Sequence, residues 1–515
     1  MDGDYVVGTQ STCARPPARK IFVSLLTLAC VTMATGCGSM QSWYHNGFKV
    51  GPEYRRPAVH VEDQWIDSDH PDVHTDTRLD TAWWSVFSDP VLDQLISTAY
   101  QENLPLRVAA LRVLEARAQR AIASGNLFPQ RQQAFGSYAR NQRSRNTQPR
   151  FGGLMPRAWD QWATGLDATW EFDVWGRFRR AIQATDAELN ANIEDYDAIL
   201  VTLIGDVAST YVEIRSLDER LGLARENVTV QEGSLAVAES RFRNGRVSEL
   251  DVDQARTNVE ATRALIPELE KQRRKAQNRL AVLLGMPPAD LTELLGGPGQ
   301  IPVAPAEIVV GVPADLVRQR PDVRRAERKV AAQSERIGIA MTDLYPMFSV
   351  NGSISVGAEN LSELFTGAST TGLVTPNLRW NILNYGRIQN NVRVQDARFQ
   401  QLAVAYDNSV LQACRETEDA IVEFLKSKER LQHLEASVDA ANRSVKTVQA
   451  QYRAGGADFG RVFVLEAVLV TQQEKMVEAR RDVALGLVRV YKALGGGWQI
   501  RTTPTAPVAS VENGP

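Results

Sequence analysis

The segment Trp170–Arg177 reads WEFDVWGR, and 210 positions later Trp380–Arg387 reads WNILNYGR. At the same offset FRNG, Phe242–Gly245, returns as YRAG, Tyr452–Gly455. Upstream the offset is 217: Ala109, Val113, Ile122, Ala123, Leu127 and Pro129 match Ala326, Val330, Ile339, Ala340, Leu344 and Pro346. Landmarks that keep their order in both halves make the chain a duplication, so its fold is built twice from one unit. The drop in offset puts seven extra residues in the first half, within the polar, basic stretch Asn141 to Arg157. Between the halves, Gly285 to Pro313 holds Pro287-Pro288, Gly296-Gly297-Pro298-Gly299, Pro302 and Pro305, which no helix tolerates.

Two periodicities alternate within each half. From Arg177 to Arg243 there is no proline, and Ile199, Leu203, Val207, Tyr211 and Ile214 follow helical spacing. Such a helix would run roughly 100 Å at ~1.5 Å per residue, and Arg387 to Arg453 repeats it. Glycine closes each, at Gly245 and at Gly455-Gly456. Return helices are expected over about Leu250–Leu284 and Val462–Leu494, the first kinked at Pro267. Shorter helices precede the hairpins, about Pro90–Ser124 and Pro313–Thr342. Long helices that turn back on themselves pack as antiparallel coiled-coil pairs.

Elsewhere the period is two. Leu166, Ala168, Trp170, Phe172 and Val174 alternate with Asp167, Thr169, Glu171 and Asp173. Phe348, Val350, Ile354 and Val356 alternate with Ser349, Asn351, Ser353 and Ser355, and Leu378, Trp380 and Ile382 with Asn377, Arg379 and Asn381. A fourth strand, after Pro129, is placed by its repeat partner. Two hairpins of this kind fit either a small sheet laid on the helices or staves of a membrane barrel. Trp162, Trp170, Trp175, Trp380 and Tyr385 near the strand ends fit an interfacial girdle and favour the barrel. A sheet in lipid must close, and closure takes about eight strands, so several chains would share one barrel.

The N-terminus reads as an address. Arg15, Arg19 and Lys20 precede the apolar stretch Ile21 to Met33, which is too short to span a bilayer and has the length of a signal-peptide core. Ala34-Thr35-Gly36-Cys37 resembles a bacterial lipobox, with Ala34 where Leu is usual and Cys37 as the lipidated residue. No Asp follows Cys37, which in lipoproteins favours the outer membrane. A lipidated cysteine anchors a protein without spanning, and no later run reaches the ~18 apolar residues of a membrane helix.

Other function classes find little support. Lys+Arg 58 against Asp+Glu 61 leaves a net charge of -3, so nucleic acid meets no basic surface. Cys13, Cys30, Cys37 and Cys414 are too few for a disulfide framework. There is no GxxxxGK phosphate loop and no HExxH zinc motif. His60, His70 and His74, with Asp69 and Asp72, lie in a Pro- and Asp-rich stretch that reads as a solvated linker rather than a metal site. Cys414, beside Arg415 and Glu416, reads as a passive helix residue. No catalytic, metal or cofactor-binding residue is assigned, and no cofactor is expected.

Several motifs then resemble one family. Val50-Gly51-Pro52-Glu53-Tyr54-Arg55-Arg56-Pro57 is similar to the VGPxYxRP opening of the lipoprotein branch of the outer-membrane factors, the TolC-like, NodT-like efflux channels. Trp83-Trp84 through Phe87, Asp89-Pro90, Leu92, Leu95 and Ile96 resembles its WWxxFxDPxLxxLI segment. Trp175-Gly176-Arg177, Arg320-Pro321-Asp322-Val323 with Ala326-Glu327, and Arg243 through Leu250-Asp251-Val252 resemble its WGR, RPDVxxAE and RxGxxSxLDV motifs, in order from Val50 to Trp498. The resemblance implies a mainly α fold with a small transmembrane β part. Three chains would form a twelve-stranded outer-membrane barrel continued by a long periplasmic α-helical barrel. The expected partners are two further copies in a homotrimer, a periplasmic adaptor, an RND-type inner-membrane transporter and outer-membrane lipid.

The expected organisation is a signal peptide at 1–36, a lipid anchor and extended segment at 37–88, and repeat 1 at 89–284 with its hairpin at about 128–175. The connector at 285–313 joins the waist of the tunnel, repeat 2 covers 314–498 with its hairpin at about 345–385, and 499–515 is a disordered tail. Arg140, Arg143, Arg145, Arg150 and Arg157 fall in the longer first hairpin loop. In the family the periplasmic helix turns close the pore with carboxylates. The matching gate candidates are Asp251, Asp253, Asp458 and Arg461, with Asp251 and Arg461 at equivalent repeat positions as a possible latch within or between chains. The positions matching the adaptor-docking turns are Arg243, Gly245, Ser248, Leu250, Tyr452, Gly455 and Phe463. The alternative to an exit duct is a non-conducting structural envelope lipoprotein.

Overall fold

The computed structural model describes residues 41, 43–75, 82–144, 146 and 156–502. The leader, Cys37, Arg145, Arg150 and the tail after Thr502 lie outside the described residues. In chain order come β1 (Val73–His74), a 3-10 turn (Trp83–Phe87), α1 (Pro90–Glu102), α2 (Leu104–Gly125), β2 (Arg131–Gln142), β3 (Ala158–Glu171), α3 (Arg177–Arg243) and α4 (Glu249–Leu283). They are followed by β4 (Ile308–Val309), α5 (Pro313–Gln319), α6 (Pro321–Thr342), β5 (Met347–Ala358), β6 (Thr370–Arg379), α7 (Arg387–Ala454) and α8 (Phe459–Ala493). The order helix, hairpin, long helix, return helix occurs twice, as the repeat requires. The long helices have 67 and 68 residues, and α4 stays helical through Pro267.

Each short helix expected before a hairpin is divided in two. Asn103 leaves helical geometry at φ -63, ψ 122. Its Oδ1 accepts from Leu106 N at 2.9 Å, while Pro105 has no N–H to continue the ladder. Arg320 precedes Pro321, whose ring disfavours helical backbone at the preceding residue.

The chain divides into two units. One takes in the residues up to Tyr54, Ile122–Gln183 and Ser334–Asp396. Its centre is a four-stranded antiparallel sheet in the order β2-β3-β5-β6. Leu166 lies opposite Ala134 and Ile354, Trp170 opposite Val350, and Phe348 opposite Leu378. Residues in register share a face, so these apolar side chains line one side. Asp167, Ser353, Asn351, Thr375 and Asn377 line the other. The apolar side is open, with Leu166, Ile354 and Leu378 all exposed. β2 and β6 are the two edges, unpaired among the described residues.

The strands end before Phe172, Val174, Trp380 and Ile382, which the alternation had included. Asp173 instead caps α3, accepting from Phe178 N at 3.1 Å and Arg179 N at 3.0 Å. Gly176 turns the chain at φ +85. Below the sheet, Trp175 donates to Pro346 O at 2.8 Å and stacks on Tyr345. Arg180, 1% exposed, is paired with Glu335 at 2.6 Å and donates to Gly51 O at 3.0 Å, which straps the VGP segment down.

The second unit takes in Arg55–Ala121, Ala184–Gln333 and the chain from Ala397 on. Its core explains the WWxxFxDP motif. Trp83, Trp84, Phe87, Leu92, Leu95 and Ile96 are buried, and Trp83 stacks on Tyr491. Asp89 caps α1 through Val91 N and Leu92 N and accepts from Tyr211 Oη at 2.6 Å. The Pro/Gly connector is pinned: Arg215 donates to Leu295 O and Gly297 O at 2.6 and 2.7 Å.

One expectation is corrected in this unit. The His70–His74 stretch is not a solvated linker, because β1 pairs in parallel with β4. Val73 is buried, His74 Nε2 lies 2.9 Å from Glu307, and Trp65 donates to Gly311 O. Extended backbone that pairs across a connector has no hydropathy signature in two residues. Among the described residues no cluster of three metal-capable side chains occurs.

Candidate functional site

The two helix turns of the second unit come together in one small bundle. Each turn closes in the same way. Gly245 adopts φ +69, with Gly245 N donating to Phe242 O and Arg246 N to Arg241 O. Gly455 adopts φ +82, with Gly455 N donating to Tyr452 O and Gly456 N to Gln451 O. These are glycine-terminated helix ends that satisfy the last carbonyls. α4 starts after Ser248, whose Oγ lies 3.4 Å from Asp251 Oδ1. α8 starts earlier than its hydrophobic pattern suggested, because Asp458 caps it by accepting from Arg461 N at 3.0 Å. Asp458, expected as a gate carboxylate, therefore holds a helix end.

Between the turns, Ala238 of α3, Val252 and Ala255 of α4, Val448 and Tyr452 of α7, and Phe459 and Val462 of α8 form one buried cluster. Phe459 meets the Tyr452 ring edge-on. Arg241 also lies over that ring and donates to Tyr452 O. The Tyr452 hydroxyl is buried beside the Asp251 carboxylate, too far for an ordinary hydrogen bond. Burial pushes its phenol up, and the nearby Asp251 carboxylate adds to the shift.

One helical turn further from the tip sits a buried polar knot. Glu466 of α8, 3% exposed, accepts from Ser234 Oγ of α3 at 2.6 Å and from Gln449 Nε2 of α7 at 2.9 Å. Asn258 Nδ2 of α4 reaches its other oxygen at 3.4 Å and Phe463 O at 3.3 Å. One carboxylate thus ties all four helices with neutral donors.

The sequence-derived candidates divide on this geometry. Arg243, Gly245, Ser248, Gly455, Asp253 and Arg461 are exposed, as is Leu250 at 62%. Asp251 and Phe463 are half-buried. Tyr452 is corrected: at 2% exposed it supports the turns from inside and offers no docking surface in the single chain. Asp251 and Arg461 form no ion pair within the chain among the described residues; Asp251 faces Tyr452 instead. Glu466, Ser234, Gln449, Asn258 and Arg241 were not anticipated. A glutamate in step with Phe459, Val462 and Leu469 on the buried stripe was the available signal.

Comparison with known proteins bears on what this arrangement serves. A family model described as outer membrane efflux protein matches residues 95–286 and 312–496. The chain belongs to that family. The pyoverdine export outer membrane protein OpmQ of Pseudomonas putida is 30% identical over 426 residues, covering 82% of this chain and 89% of that one. The probable outer membrane lipoprotein SilC of Salmonella typhimurium is 26% identical over 481 residues, covering 92% and 99%. The solved outer-membrane channel OprN superposes with a TM-score of 0.82 at 30% identity, covering 87% of this chain and 99% of that structure.

The mainly helical fold with its antiparallel sheet is thus that of an outer-membrane efflux channel, and the protein works in outer-membrane transport rather than as an enzyme. Like its relatives it is an outer-membrane protein that extends into the periplasm. Cys414 agrees with a passive role, since burial pushes its thiol up, away from the thiolate a nucleophile needs.

Proposed function

We propose that three copies form the exit duct of a tripartite efflux system. It would passively conduct substrates delivered by an inner-membrane transporter and a periplasmic adaptor. The observation that carries this reading is the four-stranded sheet with one apolar face, one polar face and two unpaired edges. Three such sheets close into a twelve-stranded ring that leaves no backbone edge in lipid. From Trp162 to Trp170 the strand spans roughly 26 Å at ~3.3 Å per residue, close to the ~25 Å apolar band of a membrane barrel. The polar face then lines the lumen. Cys37, lipidated, adds an anchor beside the barrel.

Closure is assigned to the paired turns, with Asp251, Asp253 and Arg461 as their charged groups and Asp458 holding α8 in place. Arg243, Gly245, Ser248, Leu250, Gly455 and Phe463 form the rim for the adaptor. Relatives of this chain include a pyoverdine export protein and a cation efflux protein, so cargo is selected upstream of the duct.

The test is the mass of the detergent-purified protein followed by planar-bilayer conductance. A trimer with discrete, cation-selective steps that enlarge on Asp251→Ala supports a gated duct. A trimer that never conducts, with tip residues replaced as well, refutes it in favour of a structural envelope lipoprotein.

A further inference from the structure

The β2–β3 hairpin stands past the rest of its sheet. The last rung that β3 shares with β5 joins Trp162 to Ala358. β2 and β3 go on pairing alone for four more rungs, from Ala139–Gln161 to Gln142–Ala158, and Arg143 N then donates to Arg157 O at 2.9 Å. At ~3.3 Å per residue this arm reaches about 17 Å beyond Trp162. We infer that the arm grips phosphate groups of lipopolysaccharide, the phosphorylated glycolipid of the outer leaflet, through Arg143 and Arg157, with Arg140 at the membrane surface below them. The inference rests on the barrel reading above and adds a lipid partner at the outward end of the sheet.

Register sets the height of each arginine. α2, α3, α6 and α7 all join the sheet at its other end, so the arm points away from the periplasm. Tyr138 and Trp162 share one rung of the apolar side, with ring centroids 4.5 Å apart, and aromatic rings of this kind mark the boundary between hydrocarbon and head groups. One step out on the same side, about 7 Å past that rung, Arg140 donates to Asp160 Oδ2 at 2.7 Å and Tyr138 Oη donates to Asp160 Oδ1 at 2.9 Å. Further out, the Arg143 guanidinium lies over the Trp159 ring, 4.9 Å from its centroid, and stays exposed. Arg157, opposite Arg143 in the outermost rung, is exposed as well.

Charge identifies the partner. Residues 139–161 carry five arginines, no lysine and one carboxylate, Asp160. Asp160 neutralises Arg140, so Arg143 and Arg157 leave the described part of the arm positive. The loop between β5 and β6, residues 359–369, holds Glu359 and Glu363 and no basic residue. Positive charge is therefore a property of the longer hairpin alone and not of the outward loops in general. A guanidinium presents a planar fork of donors that fits two phosphate oxygens at once, which an ammonium does not. A phospholipid carries its phosphate at the hydrocarbon boundary, level with Arg140, whose charge Asp160 already meets. A glycolipid with further phosphates in the sugar core above that boundary reaches Arg143 and Arg157, about 10 Å higher.

The experiment titrates the full-length protein, in mild detergent and after its native mass is measured, with fluorescently labelled rough lipopolysaccharide bearing a phosphorylated inner core, followed by anisotropy. Wild type should bind, and Arg143→Gln with Arg157→Gln should weaken binding about tenfold or more. Arg143→Lys with Arg157→Lys keeps the charge without the fork and should fall between the two. On wild-type protein, the same glycolipid stripped of its phosphates should bind about tenfold more weakly, which tests the inference without any variant. Equal binding of the stripped glycolipid, or a glutamine variant within about twofold of wild type, overturns the arginine grip. Full displacement by inorganic phosphate or by phosphatidylglycerol micelles overturns the assignment to lipopolysaccharide. A conducting trimer that binds none of these overturns the inference and leaves the duct intact, whereas a protein that is neither trimeric nor conducting removes the reading on which it rests.

Discussion

Replacing Glu466 tests whether one buried carboxylate holds the four helices of the tip together. Glu466→Ala removes the acceptor of Ser234 Oγ and Gln449 Nε2, bonded at 2.6 and 2.9 Å, and one of two acceptors of Asn258. A buried donor left unpaired costs about 1–3 kcal/mol. Ser234 and Gln449 keep a 3.3 Å contact with each other, and Asn258 keeps Phe463 O. The local loss is therefore about 2–4 kcal/mol, read as a roughly 30- to 1,000-fold rise in amide exchange. Exchange is followed by mass spectrometry on peptides covering residues 445–470 and 230–260. Glu466→Gln keeps one oxygen for the two short bonds and turns its amide toward the long one, so it should stay within about tenfold of wild type. A change below about threefold in the alanine variant, or an equal effect of glutamine, would refute the tie.

Three further outcomes follow from the same structure. Tyr452→Phe removes a buried hydroxyl that makes no short hydrogen bond, so melting should change by no more than about 1 kcal/mol. The folded phenol titrates above its usual 10.0, because burial penalises the phenolate, so the tip keeps its full stability only while the phenol is neutral. That stability is full below pH 10 and lost as pH rises through the folded value, and the phenylalanine variant should lose this alkaline sensitivity in exchange or melting scans. Gly245→Ala meets open space but must hold φ +69, so about 1–2 kcal/mol of strain should appear as faster exchange confined to the first turn. Asp197, fully buried, accepts two bonds from Arg501 at 2.8 and 2.9 Å, and Asp197→Asn should lower the melting temperature by weakening a charge-assisted pair worth about 1.5–3 kcal/mol.

The long helices were legible to within a residue because nothing interrupts them and glycine ends them: Arg177–Arg243 and Arg387–Ala454 follow directly from absent proline and a C-terminal Gly. β5 was legible from alternation, whereas in β6 the alternation reached only the last residues, Asn377–Arg379, and β2 came through its repeat partner, since RQQAFGSYARNQ puts Gln132 and Arg140 on the same side as Ala134 and Tyr138. Tyr138 and Arg140 both bond Asp160 near the hairpin end, where that side turns polar. The alternation ran past β3 because Phe172 and Val174 keep the period while Asp173 already caps the next helix. At the tip, the turns were read from glycine and the gate charges from family motifs. The knot around Glu466 depends on four residues from four helices, and pairings across more than 200 positions leave no local pattern.

β2 and β6 present 12 and 10 residues of unpaired edge. In hydrocarbon each unpaired backbone group costs several kcal/mol, so on the proposed three-chain reading one chain alone would have no stable inserted form, and insertion and assembly would become a single event. In a three-chain ring each copy both gives and receives an edge, and one defective edge breaks the circle. Expressed in equal amount with wild type, an edge-defective chain leaves only about one ring in eight intact. Alleles that spoil an edge without stopping synthesis are then dominant, whereas alleles that abolish the chain are recessive.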